Sequence, residues 1–213
     1  VHRGQATRGH AAWHAEGGVG GRGARGRLLR AGAESDAGEG CGRTARHGAA
    51  KEGHAGAATA LAAGGGALEA ADKTGRTPLH WAAKQGKVDA VNALVKAGAA
   101  LEARSEHLNT PLLIAAFKGH AEAAASLAGA GAALDARGHR EATALHWAAD
   151  KTHVKAIIAL AAMGAPLDAR DEAGGTSLHW AAPQGQAQAV VALTKVGAAV
   201  EAADEGQNTG RYI

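Results

Sequence analysis

Large rings are nearly missing from this chain: phenylalanine, tryptophan and tyrosine make up 3% of it, with one Phe and one Tyr. Cohesion must therefore come from small and aliphatic contacts repeated many times. A single cysteine, Cys41, excludes an internal disulfide framework and fits a reducing compartment. It has no base beside it in sequence and reads as a free surface thiol. No apolar run reaches the roughly 18 residues of a membrane span; the nearest, 156–167, falls short. No secretory signal pattern opens the chain. Enzyme signatures are missing too: no Gly-rich phosphate loop with Lys-Ser/Thr, no G-x-S-x-G, no Cys/His pairing and no H-E-x-x-H. The glycines at 64–66 lead into Ala67-Leu68-Glu69, a helix exit and not a nucleotide site. No cofactor is implied. The net charge of +3 is small, and outside an Arg-rich stretch (Arg3, Arg8, Arg22, Arg25, Arg27, Arg30) the signs are mixed. That balance argues against one dominant electrostatic partner.

What is present is a phrase repeated every 33 residues: TPLHWAA at 77–83, TPLLIAA at 110–116, TALHWAA at 143–149 and TSLHWAA at 176–182. Gly65, Gly98, Gly131, Gly164 and Gly197 keep the same interval, each followed four positions later by Glu69, Glu102, Asp135, Asp168 or Glu201. A fixed period of this size means stacked copies of one supersecondary unit.

The residues explain the unit. In 72–104, Thr77 can cap a helix and Pro78 sits at its first position, where a missing N–H costs nothing. Leu79, Ala82 and Ala83 recur at helical spacing, and Gly86 can take the left-handed conformation that stops the helix. A second helix follows from about Val88, with Val88, Val91, Leu94 and Val95 as its apolar stripe, and Gly98 ends it. The pairs Ala82-Ala83, Ala115-Ala116, Ala148-Ala149 and Ala181-Ala182 let neighbouring helices approach closely. One unit cannot bury both faces of its helices, so burial arrives when neighbours dock. Two departures stand out. Thr152 replaces the helix-stopping glycine found at 53, 86, 119 and 185, which predicts a different or strained turn. Pro183 lies late in a first helix and should shorten it.

T-P-L-H-x-A-A, then Gly, a second apolar stretch and A-G-A-x-x-x-A resemble the ankyrin repeat. The resemblance implies an all-α solenoid of stacked helix–turn–helix units joined by hairpin loops, binding another macromolecule through its concave face and loop tips. Units fall at 39–71, 72–104, 105–137, 138–170 and 171–203, strongest at 72–203. Residues 1–38 are a degenerate first repeat or a flexible Gly/Arg-rich arm, and 204–213 are the truncated start of a further repeat. The chain starts without Met and stops inside a unit, so a fragment of a longer protein or a damaged gene is expected. Order is expected to be firm from about residue 72 and to loosen toward residue 1.

Tempting residues have blander readings. His80, His146 and His179 suggest metal, but equivalent residues in neighbouring units sit roughly 8–10 Å apart, and zinc needs ligand nitrogens about 2 Å from one centre. Each His is expected to fix its own loop by hydrogen bonding, and no metal site is assigned. Trp81, Trp147 and Trp180 recur in a slot that Ile114 also fills, so core packing is preferred over a binding stripe. Gly17–Arg30 looks like a nucleic-acid arm, but Leu28-Leu29 and Ala31-Gly32-Ala33 sit in repeat register and favour a decayed unit.

The slots that vary while the frame repeats are the candidate partner-binding residues: Lys73, Arg76, Lys84 and Gln85; Glu106, His107, Asn109, Phe117 and Lys118; His139, Arg140, Asp150 and Lys151; Glu172 and Gln184. By the resemblance they line the concave face and loop tips, and Phe117 is the candidate anchor. The expected function is a non-catalytic protein–protein interaction module or scaffold, monomeric, in the cytoplasm or nucleus. The alternative is a targeting or regulatory segment of a larger enzyme or channel, with nucleic-acid binding through the N-terminal Arg/Gly segment a more distant third.

Overall fold

The computed structural model of the chain describes residues 42–63 and 68–200. Residues 1–38, Cys41 and the segment 204–213 lie outside this range, and so do the expectations placed on them.

Among the described residues ten α-helices pair in chain order: α1 Ala45–Glu52 with α2 Ala55–Ala63, α3 Pro78–Lys84 with α4 Val88–Lys96, and α5 Pro111–Phe117 with α6 Ala121–Gly129. Then follow α7 Ala144–Asp150 with α8 Val154–Ala162, and α9 Ser177–Ala181 with α10 Ala187–Lys195. No strand occurs among the described residues. First helices pack on first helices, and second helices on second helices, giving two layers.

Local chemistry starts the first helices as the sequence predicts. Thr44, Thr77, Thr110, Thr143 and Thr176 occupy the N-cap with extended backbone. Pro78 and Pro111 fill the first helical position. Gly86 adopts φ 64°, and Gly98 adopts φ 91°. Between the layers lie buried leucines, one from each helix of a unit from 72 onward and Leu61 alone in the 39–71 unit. Leu79, Leu112, Leu145 and Leu178 come from the first helices, and Leu61, Leu94, Leu127, Leu160 and Leu193 from the second; all are buried. Each contributes about 1.5–3 kcal/mol by leaving water. The alanine pairs of α3, α5 and α7 are fully buried, which sets the close spacing of the first-helix layer. Although Leu61 is the one large apolar residue of α2, both helices of the 39–71 unit form and dock on α3 and α4.

Both local departures have structural consequences. Thr152 keeps the turn of its glycine counterparts: its N–H donates to Ala149 O at 3.0 Å, and its φ is 56°, a left-handed value costly for a β-branched residue. Pro183 ends α9 after five residues, and the chain continues as a 3₁₀ turn at Ala182–Gln184.

Units are also bolted together by polar contacts. Glu69 accepts the Ala100 N–H, Glu102 that of Ala133 and Asp168 that of Ala199, at 2.8–2.9 Å. Three of the acidic residues behind the period glycines therefore tie their unit to the next. Arg104 donates to Leu108 O at 3.0 Å and to Arg137 O in the following unit at 2.5 Å. Arg137 repeats the pattern with Glu141 O and Arg170 O.

Candidate functional site

The varying slots fall in the hairpin loops and at the C-terminal ends of the first helices. In two units the loop before the first helix is organised by an aspartate at its start. Asp72 Oδ1 accepts from Thr74 N at 2.8 Å, Thr74 Oγ1 at 2.6 Å and Arg76 N at 3.1 Å. Its Oδ2 accepts from Trp81 Nε1 at 2.9 Å. Burial works to raise the Asp72 pKa, but the donors from Thr74, Arg76 and Trp81 together bring it down to about 2. Asp171 does the same with Ala173 N, Gly175 N and Trp180 Nε1. Ser105 stands in the slot of 105–137 and accepts the Asn109 N–H.

His80 and His146 of the phrase, and His47 in the same register one unit earlier, hold more than their own loops. His80 Nδ1 accepts the Thr77 N–H at 3.1 Å, which leaves the proton on Nε2, and Nε2 donates to Asn109 O of the next unit at 2.9 Å. His47 donates likewise to Arg76 O, and His146 to Gly175 O. Both ring nitrogens are spent, so none of the three is free to ligate a metal. Burial, the largest influence, pushes all three below the ordinary histidine pKa.

The tryptophan slot divides. Trp81 is buried, in line with core packing. Trp147 and Trp180 are only half-buried, and they join Phe117 in a row of edge-to-face contacts. Ring centroids lie 5.4 Å apart for Phe117–Trp147 and 5.1 Å for Trp147–Trp180. Phe117, the candidate anchor, is thus one end of a three-ring row across three units.

Cations cover this row. Lys118 and Lys151 lie 5.1 and 5.5 Å from the Phe117 centroid, and Arg140 lies 5.2 Å from that of Trp180. Around Trp81, Arg43 sits at 4.2 Å, Lys84 at 4.5 Å and Arg76 at 5.7 Å. Of the remaining candidates, Lys73, Gln85, Glu106, His107, His139 and Glu172 are exposed, while Asn109 and Asp150 are half-buried. The loop tips are linked through Glu106 N to Thr74 O and Glu172 N to Arg140 O. Asn109 and Asp150 also carry structure, since their carbonyls accept from His80 and Gln186. The Gln184 side chain lies outside the described set. Sequence reasoning missed Arg43, which holds the same slot as Arg76 one unit earlier.

No helix among the described residues is long and apolar enough to cross a membrane. No curated protein matches the chain. A family model described as ankyrin repeats, in three copies, matches residues 24–105, 68–138 and 112–204. Repeats of this kind are generally protein–protein interaction modules and are typically non-catalytic. With most of its length matched and five helix pairs stacked in two layers, the chain belongs to the ankyrin-repeat family.

Proposed function

We propose that the array at 39–203 is a non-catalytic, monomeric recognition module that grips a protein partner through the loop tips and first-helix ends of its concave face. The observation that supports this is the half-buried row Phe117–Trp147–Trp180, flanked by Lys118, Lys151 and Arg140. Rings already fixed by packing lose little side-chain entropy on binding, and polar groups around an aromatic centre suit a protein interface. The polar side chains at Lys73, Gln85, Glu106, His107, His139 and Glu172 change from unit to unit on a constant frame, which suits discrimination between partners.

The test is capture of a partner with the full chain, its identification, and calorimetry with both purified proteins. Phe117→Ala and Arg140→Ala should each weaken binding by about 1 kcal/mol or more, with unchanged helical circular dichroism. Unchanged affinity in both variants would remove this face from consideration.

A further inference from the structure

The mixed charge of the sequence conceals a local imbalance. Arg43, Arg76 and Lys84 gather on Trp81, and Lys118 lies one unit on over Phe117. The charges acting most on Lys84 are Arg76, Lys118 and Arg43, with Asp72 the sole acid among them. Asp72 is already committed to Thr74, the Arg76 backbone and the Trp81 indole, and reaches Arg43 only at 3.8 Å. Among the described residues, Arg76, Lys84 and Lys118 form no ion pair, and the buried Nε of Arg76 has no hydrogen-bond partner. The cations further along are neutralised locally: Lys151 by Asp150 at 2.9 Å and Arg140 by Glu172 at 3.3 Å. Among the cations lying over the rings, those without an ion pair therefore fall in the units 72–104 and 105–137. Burial, followed by the neighbouring positive charges of Arg76, Lys118 and Arg43 and against the pull of Asp72, lowers the Lys84 pKa.

We propose that this cluster receives an acidic peptide segment of the protein partner, with two or more adjacent carboxylates taken up by Arg76, Lys84 and Lys118. The proposal rests on the reading of this face as a protein-recognition surface and names the chemistry of what it recognises. A nucleic-acid strand fits less well. Single strands bind by stacking bases on open ring faces, and here cations already lie over Trp81, Phe117 and Trp180. Carboxylates need no ring face and can accept bidentate bonds from a guanidinium.

The test uses the full chain with Arg22, Arg25, Arg27 and Arg30 changed to Gln, so that the Arg-rich stretch is not the receptor. Fluorescein-labelled decaglutamate, decaglutamine and decathymidylate are titrated by polarisation. Decaglutamate should bind at least about tenfold tighter than decaglutamine, and more tightly than decathymidylate. The double change Arg76→Glu with Lys84→Glu should weaken decaglutamate about tenfold or more, and Lys118→Glu alone about threefold. Lys96→Glu and Lys195→Glu, at exposed ends of second helices, should leave it unchanged. Equal binding of decaglutamine, tighter binding of decathymidylate, or an equal loss with Lys96→Glu each overturns the proposal. Because Lys118 is exposed, its variant keeps the test decisive if the double variant unfolds. Failure here with a Phe117-dependent partner in hand discards the acidic segment alone. The reading of the face falls separately, on the partner affinities of the Phe117 and Arg140 variants.

Discussion

Gly86 and His120 meet across the boundary between two units: a methyl placed on Gly86 would lie 2.6 Å from Nδ1 of the His120 ring. His120 is held there because its Nε2 donates to Lys84 O at 3.0 Å. Gly119 and His153 repeat the arrangement, with His153 Nε2 donating to Phe117 O at 3.1 Å. At the next boundary both partners change together. Thr152 replaces the glycine and Gln186 replaces the histidine, and the amide of Gln186 donates to Asp150 O at 2.6 Å. The slimmer amide keeps the hydrogen bond and vacates the space of the imidazole. Thr152 is thereby tolerated in volume, while its left-handed φ remains a cost.

That cost is measurable. Thr152→Gly should stabilise the array by about 1 kcal/mol, since only the conformational strain is relieved. Gly86→Ala should destabilise by about 2 kcal/mol, combining strain with the clash on His120. Adding His120→Gln to Gly86→Ala should return the clash component alone, visible as a coupling energy in a double-mutant cycle of urea unfolding. Strict additivity of the two changes would show that the glycine is required by backbone conformation only.

The helices were legible because their signals are local: Thr77 and Pro78 start one, Gly86 stops it, and Leu79 and Leu94 face the core at helical spacing. What links neighbouring units was less so. Glu102 stood out in sequence as a marker four residues past Gly98, but its partner, the Ala133 N–H, lies 31 positions on and is defined only once the units dock. The same holds for the candidate surface. Phe117, Trp147 and Trp180 occupy two different slots, and their contact depends on how far each helix end is offset from the next. The basic cluster was hidden by averaging, because Asp72 cancels a cation in a charge count yet spends its carboxylate inside the loop.

The acid clamp contains its own control. Asp135 faces Pro166, which occupies the slot of Ala100, Ala133 and Ala199 and has no N–H to donate. Glu102→Ala should lower stability by about 1 kcal/mol, the value of one charge-assisted hydrogen bond near solvent. Asp135→Ala should change it by less than about 0.5 kcal/mol. Equal losses in chemical denaturation would mean that these acids act through general charge and not through the clamp.

Acid should loosen the array in two stages. His47, His80 and His146 titrate below the ordinary value near 6.5 when folded, chiefly because they are buried. Nearby charges modulate this. Asp72 raises His47 and His80, against Arg43 and Arg76 respectively; Asp171 raises His146 against Arg137 and His179. The unfolded chain therefore takes up protons first. Their contribution is complete above about pH 6.5 and is lost as pH falls from there toward the folded values. Asp72 and Asp171 are also depressed, so their contribution persists until pH drops below about 4. Thermal midpoints should be level above pH 7, fall as pH drops below about 6.5, and fall again below about 4. Replacing His80 and His146 by Leu, the residue already at position 113, should lower the midpoint at pH 7 and flatten the first fall. An unflattened fall would assign it to other groups.

Trp147 marks a loop with an unmet donor. Trp81 and Trp180 donate their indole N–H to Asp72 and Asp171, but Gly138 occupies the equivalent slot, and the buried Nε1 of Trp147 has no partner among the described residues. The loop around it is distorted, with Arg140 at φ 61° and Glu141 at φ 54°. An unmet buried donor costs roughly 1–3 kcal/mol. Gly138→Asp should supply the missing carboxylate. Its Cβ would meet Asn109 Oδ1 at 2.8 Å and Leu113 Cδ1 at 2.9 Å, both ends of rotatable side chains. Turning the Asn109 amide would present its NH₂ to the new carboxylate. Gly138→Ala brings the same crowding with no acceptor, so it should destabilise where Gly138→Asp stabilises by about 1 kcal/mol. Urea midpoints and the near-ultraviolet dichroism of Trp147 decide between them: if the aspartate variant is no more stable than the alanine one, the indole donor is not the defect in this loop.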